Sequence, residues 1–330
     1  MGRYDELKKK IEENRYFKVV CGAGNEDPEE VRKLAMIYTL AGTTAIDISA
    51  NVEVVKSTAK GIDKAIEISP KLGRKIKLRP FINVSVGLKG DPHVQKAKID
   101  SVLCKSCGNC LKVCQQKAIT NDFKIKEYRC IGCGKCFEVC KNDAIGFYHK
   151  KVDFNKILPQ CIKHGTETLE LHAITPNDEE VFHDWRIINS LIPGNFISMC
   201  LDRNFLSNQH LISRIKKAKE ITEERLIIQA DGVPMSGGQD DLNTTLQAIA
   251  IADIIRKSKI STVIIASGGT NSNTKGLADL CGVNINGVAI GTHARKIVSD
   301  YIEKDNLEND LNLIKKAVNI AEKLITANVE

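Results

Sequence analysis

Eight short apolar runs, each followed by a helical pattern, predict an α/β chain folded as a (β/α)8 barrel of the TIM type. The alternation stops near Gly87 and resumes near Phe154, and the stretch between holds eight of the twelve cysteines. Some 270 residues remain outside that stretch, roughly the usual size of such a barrel. The chain therefore reads as a barrel over 1–89 and 151–330, interrupted at 90–150 by a unit of another kind.

The run 17–22 is apolar and ends in glycine, as strands buried on both faces do. Asp27-Pro28-Glu29-Glu30 then opens a helix. Asp27 is a cap, Pro28 suits the first helical position, and the acids suit the positive end of the dipole. Leu34, Ile37, Tyr38 and Ala41 form its apolar face. The second strand is 45–50, the second helix 52–68 and the third strand 80–86. Beyond the cysteines, 154–164 reads as a helix, 168–174 as the fourth strand and 178–191 as a helix. Strand 196–201, helix 206–220 and strand 225–229 follow. The segment 242–258, apolar at Leu246, Ile249, Ala250, Ile254 and Ile255, is strongly helical. The seventh strand is 262–266, then a helix at 273–280 and the eighth strand at 287–290. Helices near 294–302 and 307–327 finish the chain. A doubly wound sheet alternates in the same way and is the rival fold. Its dinucleotide turn is poorly matched, because Cys21-Gly22-Ala23-Gly24-Asn25 lacks a third glycine and an immediate helix.

The interrupting unit carries the strongest motif. Cys104, Cys107, Cys110 and Cys114, and again Cys130, Cys133, Cys136 and Cys140, follow the spacing Cys-x-x-Cys-x-x-Cys-x-x-x-Cys. This is the bacterial ferredoxin pattern for four-iron four-sulfur clusters, in which the fourth thiolate of each run ligates the other cluster. The expected ligand sets are Cys104, Cys107, Cys110 and Cys140 for one cluster, and Cys130, Cys133, Cys136 and Cys114 for the other. Gly108, Gly132 and Gly134 leave room for backbone close to sulfur. A zinc module usually shows a long gap between Cys pairs and often His, and neither repeat contains His. A disulfide framework suits a small secreted chain, whereas Met1 is followed by a charged run over 3–13 and no apolar signal segment. Gln115 and Lys141 stand where ferredoxins usually place proline.

Composition narrows the function classes. The formal charge of +7 falls to about +3 once two oxidised clusters with their thiolates are counted. Aromatic content is only 5%, and no dense basic stretch alternates with aromatics, so nucleic-acid binding is not expected. No run of about 18 apolar residues exists, so no transmembrane helix is expected. Cys21, Cys161, Cys200 and Cys281 are scattered and read as small buried residues of a reducing compartment.

A second candidate site lies at the last two strands. The seventh ends in Ser267-Gly268-Gly269-Thr270-Asn271, and the eighth in Gly291-Thr292-His293-Ala294-Arg295. In barrels these loops commonly bind phosphate through backbone amides and a helix N-terminus. Ser267, Gly268, Gly269, Thr270, Gly291, Thr292 and Arg295 are thus candidates to hold FMN or another phosphorylated ligand, and the loops resemble those of flavin-mononucleotide barrels such as dihydroorotate dehydrogenases. Other strand ends carry Asn51, Asn83, His172, Asp202, Arg203 and Asp231. Asp231-Gly232-Val233-Pro234 reads as a rigid loop start, and Gly237-Gly238 as a mobile continuation.

The segments 17–25 and 31–51, Gly90-Asp91-Pro92-His93, the double cysteine repeat, 229–234 and 267–270 together resemble the cyanobacterial light-dependent period protein family. The resemblance covers nearly the whole chain. It implies an iron–sulfur protein that senses redox state and passes light information to the circadian clock, with clock components as partners, an input kinase among them. A redox donor or acceptor protein, or the quinone pool, would exchange electrons with it. Its compartment would be the cytoplasm, or the stroma if plastid-encoded. An FMN-dependent oxidoreductase fed by the clusters is the alternative expectation.

Overall fold

The computed structural model describes residues 2–88, 91, 94–150, 152–232 and 242–330. Gly90, Pro92 and His93, and Val233, Pro234, Gly237 and Gly238 of the loop read above, lie outside the described residues.

The strands are β1 (Tyr16–Gly22), β2 (Ala45–Ser49), β3 (Phe81–Gly87), β4 (Gln95–Ile99), β5 (Ile145–His149), β6 (Thr168–His172), β7 (Ile197–Leu201), β8 (Leu226–Asp231), β9 (Val263–Ser267) and β10 (Gly287–Ile290). Eight of them are parallel neighbours in the order β1-β2-β3-β6-β7-β8-β9-β10, and β10 pairs back onto β1. The protein is a closed (β/α)8 barrel, as the alternation predicted. Its helices are α1 (Arg3–Glu12), α2 (Pro28–Ala41), α3 (Val52–Ile68), α4 (Asn109–Val113), α5 (Lys135–Glu138), α6 (Phe154–Lys163), α7 (Asp178–Leu191), α8 (Asn208–Thr222), α9 (Leu242–Lys257), α10 (Thr274–Leu280), α11 (Thr292–Ile302) and α12 (Leu311–Val329). Asp27 caps α2 by accepting from the amides of Glu29 and Glu30 at 3.1 and 3.2 Å, which offsets two of the donors a helix start leaves unsatisfied.

β3 and β6 pair from Asn83↔Thr168 to Gly87↔His172, so the intervening chain leaves and re-enters the barrel without disturbing its register. That chain forms an antiparallel pair, β4 with β5, and carries the cysteines between the two strands. It has its own small core of Ala97, Ala118, Ile119 and Ile145 with Cys110, Cys130 and Cys136. It leaves from the C-terminal end of β3 and therefore sits at the barrel mouth.

Alternation along each strand sorts the barrel into two surfaces. Phe17, Val19, Ile46, Ile48, Val84, Leu169 and Leu171 pack in the large apolar cluster that also holds the helix residues. The alternate positions begin with an apolar layer, Tyr16, Ala45, Phe81, Phe196, Ile227, Ile265 and Ala289. Leu7 and Ile11 of α1 join that layer, and Tyr4 stacks on Phe196 at 4.8 Å. The helix closes the N-terminal end of the barrel. The charged run 3–13 is thus an amphipathic helix, a role that its charge masked. Burying Leu7 and Ile11 stabilises this closure by about 1.5–3 kcal/mol each.

Candidate cluster and barrel-mouth site

Above the apolar layer the alternate strand positions turn polar. Lys18 of β1 donates to Glu170 of β6, and these strands are not neighbours, so the bond crosses the barrel interior. Gln229 donates to Glu170 at 2.9 Å. Asp47 accepts from Asn83 at 2.5 Å and from Ser85. His172 sets Nδ1 2.9 Å from Asp91 and Nε2 3.3 Å from Glu170. A Cβ at Gly87 would lie 2.0 Å from the Asp91 carboxylate, so only glycine there lets Asp91 reach His172. The result is a ladder of alternating charge, Asp91, His172, Glu170 and Lys18, running from the root of the inserted unit into the barrel.

The ladder sets the protonation states. Burial pushes His172 down, but Asp91 and Glu170 outweigh it and hold the imidazolium well above the usual range. Burial pushes Glu170 up, yet Lys18 and His172 bring it to about 2. Burial lowers Lys18, and Glu170 and Asp47 more than reverse this. Asp47 is raised, by burial first, against the pull of Lys18. Glu170, His172 and Cys200 also bring three ligand atoms within 4.8 Å of one another. Both imidazole nitrogens already face carboxylates and the Lys18 ammonium sits on Glu170, so these atoms serve a charge network within the barrel.

All seven predicted loop residues, Ser267 to Thr270, Gly291, Thr292 and Arg295, line one cavity at the mouth. Its floor is Asp47, Glu170, His172, Gln229 and Asp231, and Gly22 to Gly24 form one wall. The Thr270 hydroxyl donates to the Ala289 carbonyl at 2.6 Å, so it serves the barrel wall. Arg295 is 8% exposed and donates to the Val20 carbonyl at 2.7 Å. Of the polar strand ends, Asn83, His172 and Asp231 belong to this interior. Asn51 instead caps α3, Asp202 accepts from Asn204 in a turn, and Arg203 donates to the Leu206 carbonyl. Lys18, Asp47, Glu170 and Gln229 escaped the sequence reading. Their signal is a polar residue at the inward phase of an otherwise apolar strand.

The cysteines divide between two further cavities. Cys104, Cys107, Cys110 and Cys140 line one. Cys114, Cys130, Cys133 and Cys136 line the other. Gly108 and Gly134, at φ 76° and 83°, begin the two short helices at equivalent places in the repeat. Ser106 and Gly132, at φ 51° and 70°, also correspond. A tetrahedral zinc with Zn–S near 2.3 Å needs sulfurs roughly 3.8 Å apart. Among the described residues no three cysteine sulfurs lie within 4.8 Å of one another, so both quartets are wider than a zinc site. The amides of Ala97 and Ala118 donate to the sulfurs of Cys130 and Cys114, each at 3.3 Å. Of the other thiols, Cys21, Cys161 and Cys200 are buried as expected, whereas Cys281 is exposed.

The inserted unit docks on the β1–α2 loop. The buried Lys96 ammonium donates to the carbonyls of Gly24, Glu127 and Cys130 at 2.6, 2.8 and 2.8 Å. Arg129 pairs with Asp27 and Glu30, and Lys150 with Glu26. Ile131, between Cys130 and Cys133, lines both the second cysteine cavity and the barrel mouth.

Comparison with known proteins agrees with this layout. A family model described as 4Fe-4S binding domain matches residues 123–146. The chain is 27% identical over 332 residues to Light dependent period A of Synechococcus elongatus, covering 96% of this chain and 91% of that protein. Among solved structures it is similar to the YdjI aldolase of Escherichia coli K12, with 9% identity, 96% and 90% coverage and a TM-score of 0.45. It is also similar to the (S)-3-O-geranylgeranylglyceryl phosphate synthase of Thermoplasma acidophilum, with 10% identity, 96% and 98% coverage and a TM-score of 0.46. No helix among the described residues is long and apolar enough to cross a membrane. A family model described as Light dependent period A C-terminal domain matches residues 161–327, and the chain belongs to that family.

Proposed function

We propose that the chain is a redox relay or sensor holding two four-iron four-sulfur clusters. Cys104, Cys107, Cys110 and Cys140 would ligate one, and Cys130, Cys133, Cys136 and Cys114 the other. The observation that carries this is the crossing of the fourth cysteine of each repeat into the cavity walled by the first three of the other repeat. When bound, each cluster accepts or releases one electron. The chain's own residues position it, with the amides of Ala97 and Ala118 donating to sulfur and Lys96 holding the Cys130 carbonyl beside Gly24 of the barrel. The named relative and the resemblance in sequence support a role in passing light or redox information to the circadian clock. The partners would then be an electron donor or acceptor, a protein or the quinone pool, and clock components including an input kinase.

The glycine loops and Arg295 add a phosphate-binding character to the barrel mouth, so a phosphorylated ligand beside the second cluster belongs to the same proposal. A flavin mononucleotide there would make the chain an oxidoreductase, and stoichiometric flavin in an anaerobic preparation would reveal it. For the clusters, about eight irons per chain and a broad charge-transfer absorption lost on reduction are expected. Stoichiometric zinc with little iron would refute them.

A further inference from the structure

The barrel mouth has two chemically different ends. At the rim, Gly291 is the N-cap of α11 and no side chain caps the helix, so its positive end abuts the cavity that Gly291 and Thr292 line. Arg295, one turn further on, is more than nine-tenths buried and lines the same cavity. Its Nε has no hydrogen-bond partner among the described residues. A buried guanidinium N–H left without an acceptor is costly, and an anion supplies a strong one.

The floor is different. Asp47, Glu170, Gln229 and Asp231 present acceptors for hydroxyl groups. Among the described lining residues there is no Phe, Tyr or Trp, and Ile131, Val20 and Ala23 are the larger apolar contributors. A broad aromatic ring gains most of its binding from apolar and aromatic walls, which this cavity offers sparingly. A compact hydroxylated molecule with one anionic end matches both the rim and the floor.

We propose that the barrel mouth binds a small polyhydroxylated phosphate ester, its phosphate on Gly291, the N-terminus of α11 and Arg295, and its hydroxyls donating to Asp231, Glu170 and Asp47. The proposal rests on the phosphate-binding part of the function proposed above and not on the clusters being filled. Ile131 brings the ligand against the Cys130–Cys133 segment, so occupancy and cluster state share a wall.

The test uses the full chain purified anaerobically, with iron content and cluster absorbance recorded on the same preparation. Calorimetric titrations with ribose 5-phosphate, ribose, inorganic phosphate and FMN separate the ligand classes. Ribose 5-phosphate is expected to bind at least about tenfold more tightly than inorganic phosphate, and ribose far more weakly than either. Arg295→Met should weaken both phosphate compounds by about tenfold or more. Asp231→Asn should weaken only ribose 5-phosphate. Gly268 is unsuitable for substitution, since a Cβ there would lie 1.6 Å from the Asp231 carboxylate. Gly291→Ala is the safer second variant, because its Cβ would meet Arg295 and Val20 at 3.4 Å, and it should narrow the anion end without unfolding the barrel. Ribose 5-phosphate binding no better than inorganic phosphate, tighter binding of FMN, or no binding to the iron-loaded wild type would each overturn the proposal. Poor iron content with intact ribose 5-phosphate binding would sink the cluster reading while leaving this one standing.

Discussion

The quartet of Cys104, Cys107, Cys110 and Cys140 and the quartet of Cys114, Cys130, Cys133 and Cys136 arise from one repeated spacing, yet their surroundings differ. Both are walled by residues of the inserted unit, and Cys107 of the first is exposed. The second has two cysteines buried, two amide-to-sulfur hydrogen bonds, the Lys96 ammonium on the Cys130 carbonyl, and Ile131 shared with the barrel mouth. Hydrogen bonds to sulfur and nearby positive charge favour the reduced cluster, whereas the same thiolates without them favour the oxidised one. With two clusters bound as proposed, the shared spacing would specify how iron is held, and the neighbours what each cluster does. On the proposed function, the outer quartet, with the exposed Cys107, would face a partner, and the inner quartet, beside Ile131, would face the barrel mouth.

The strongest way to break this asymmetry is to remove ligands one quartet at a time. Cys107→Ala and Cys136→Ala should each reduce iron from about eight to about four per chain. Only Cys136→Ala should increase proteolysis in the β1–α2 loop, which the inner half of the unit covers. Equal protection in both variants would make the two quartets equivalent. Next in size is the barrel beneath. Lys18→Met leaves Glu170 buried without its ammonium and should destabilise the fold by about 3–5 kcal/mol, read as a lowered denaturation midpoint. The third test is electrochemical. Lys96→Met removes the buried charge beside Cys130 and should shift the inner potential negative while leaving the outer one in place, followed by an EPR-monitored redox titration. A uniform shift would mean that Lys96 acts on the whole unit.

The charge ladder adds a pH dependence. His172 is raised in the folded state, so its stabilisation is complete below its unfolded value of about 6.5 and is lost as pH climbs through the higher folded value. Glu170 is depressed to about 2, so its stabilisation is complete above its ordinary range and fades as pH falls toward that value. Thermal melts of the wild type should weaken on the alkaline side, and His172→Gln should flatten that limb. The smallest effect belongs to the outer rim. Lys117 and Glu303 form an exposed pair at 2.6 Å, and Lys117→Ala should change stability by no more than about 0.2–1 kcal/mol.

Much of the barrel was legible because strand and helix periodicity are local properties. The runs 52–68 and 178–191 coincide with α3 and α7. The cysteine stretch was legible for the same reason, since Cys-x-x-Cys spacing acts within one turn. What escaped depends on which way a residue faces in the closed barrel. Lys18 is a lone charge in an apolar strand and Glu170 sits between two leucines, and their meaning appears only when β1 and β6 meet across the interior. Asp91 reaches His172 over a long stretch of chain, which no window on the sequence detects. In α1 the residues Tyr4, Leu7 and Ile11 carry the apolar spacing of a helix, but the charges around them dominated the reading. Asn51, Asp202 and Arg203 stood at strand ends where chemistry is common and turned out to serve caps and turns.

That N-terminal helix has a consequence for exchange. With Leu7 and Ile11 seated in the layer of Tyr16, Phe81 and Phe196, α1 stoppers the N-terminal end of the barrel, and the inserted unit adjoins the cavity at the other end through Ile131. A guest of the cavity would lie beside Ile131 and the segment that Lys96 ties to Gly24. A guest of modest affinity would still depart slowly while the unit stays docked, and loosening the Lys96 contacts would hasten entry and exit by the same factor, leaving the equilibrium unchanged.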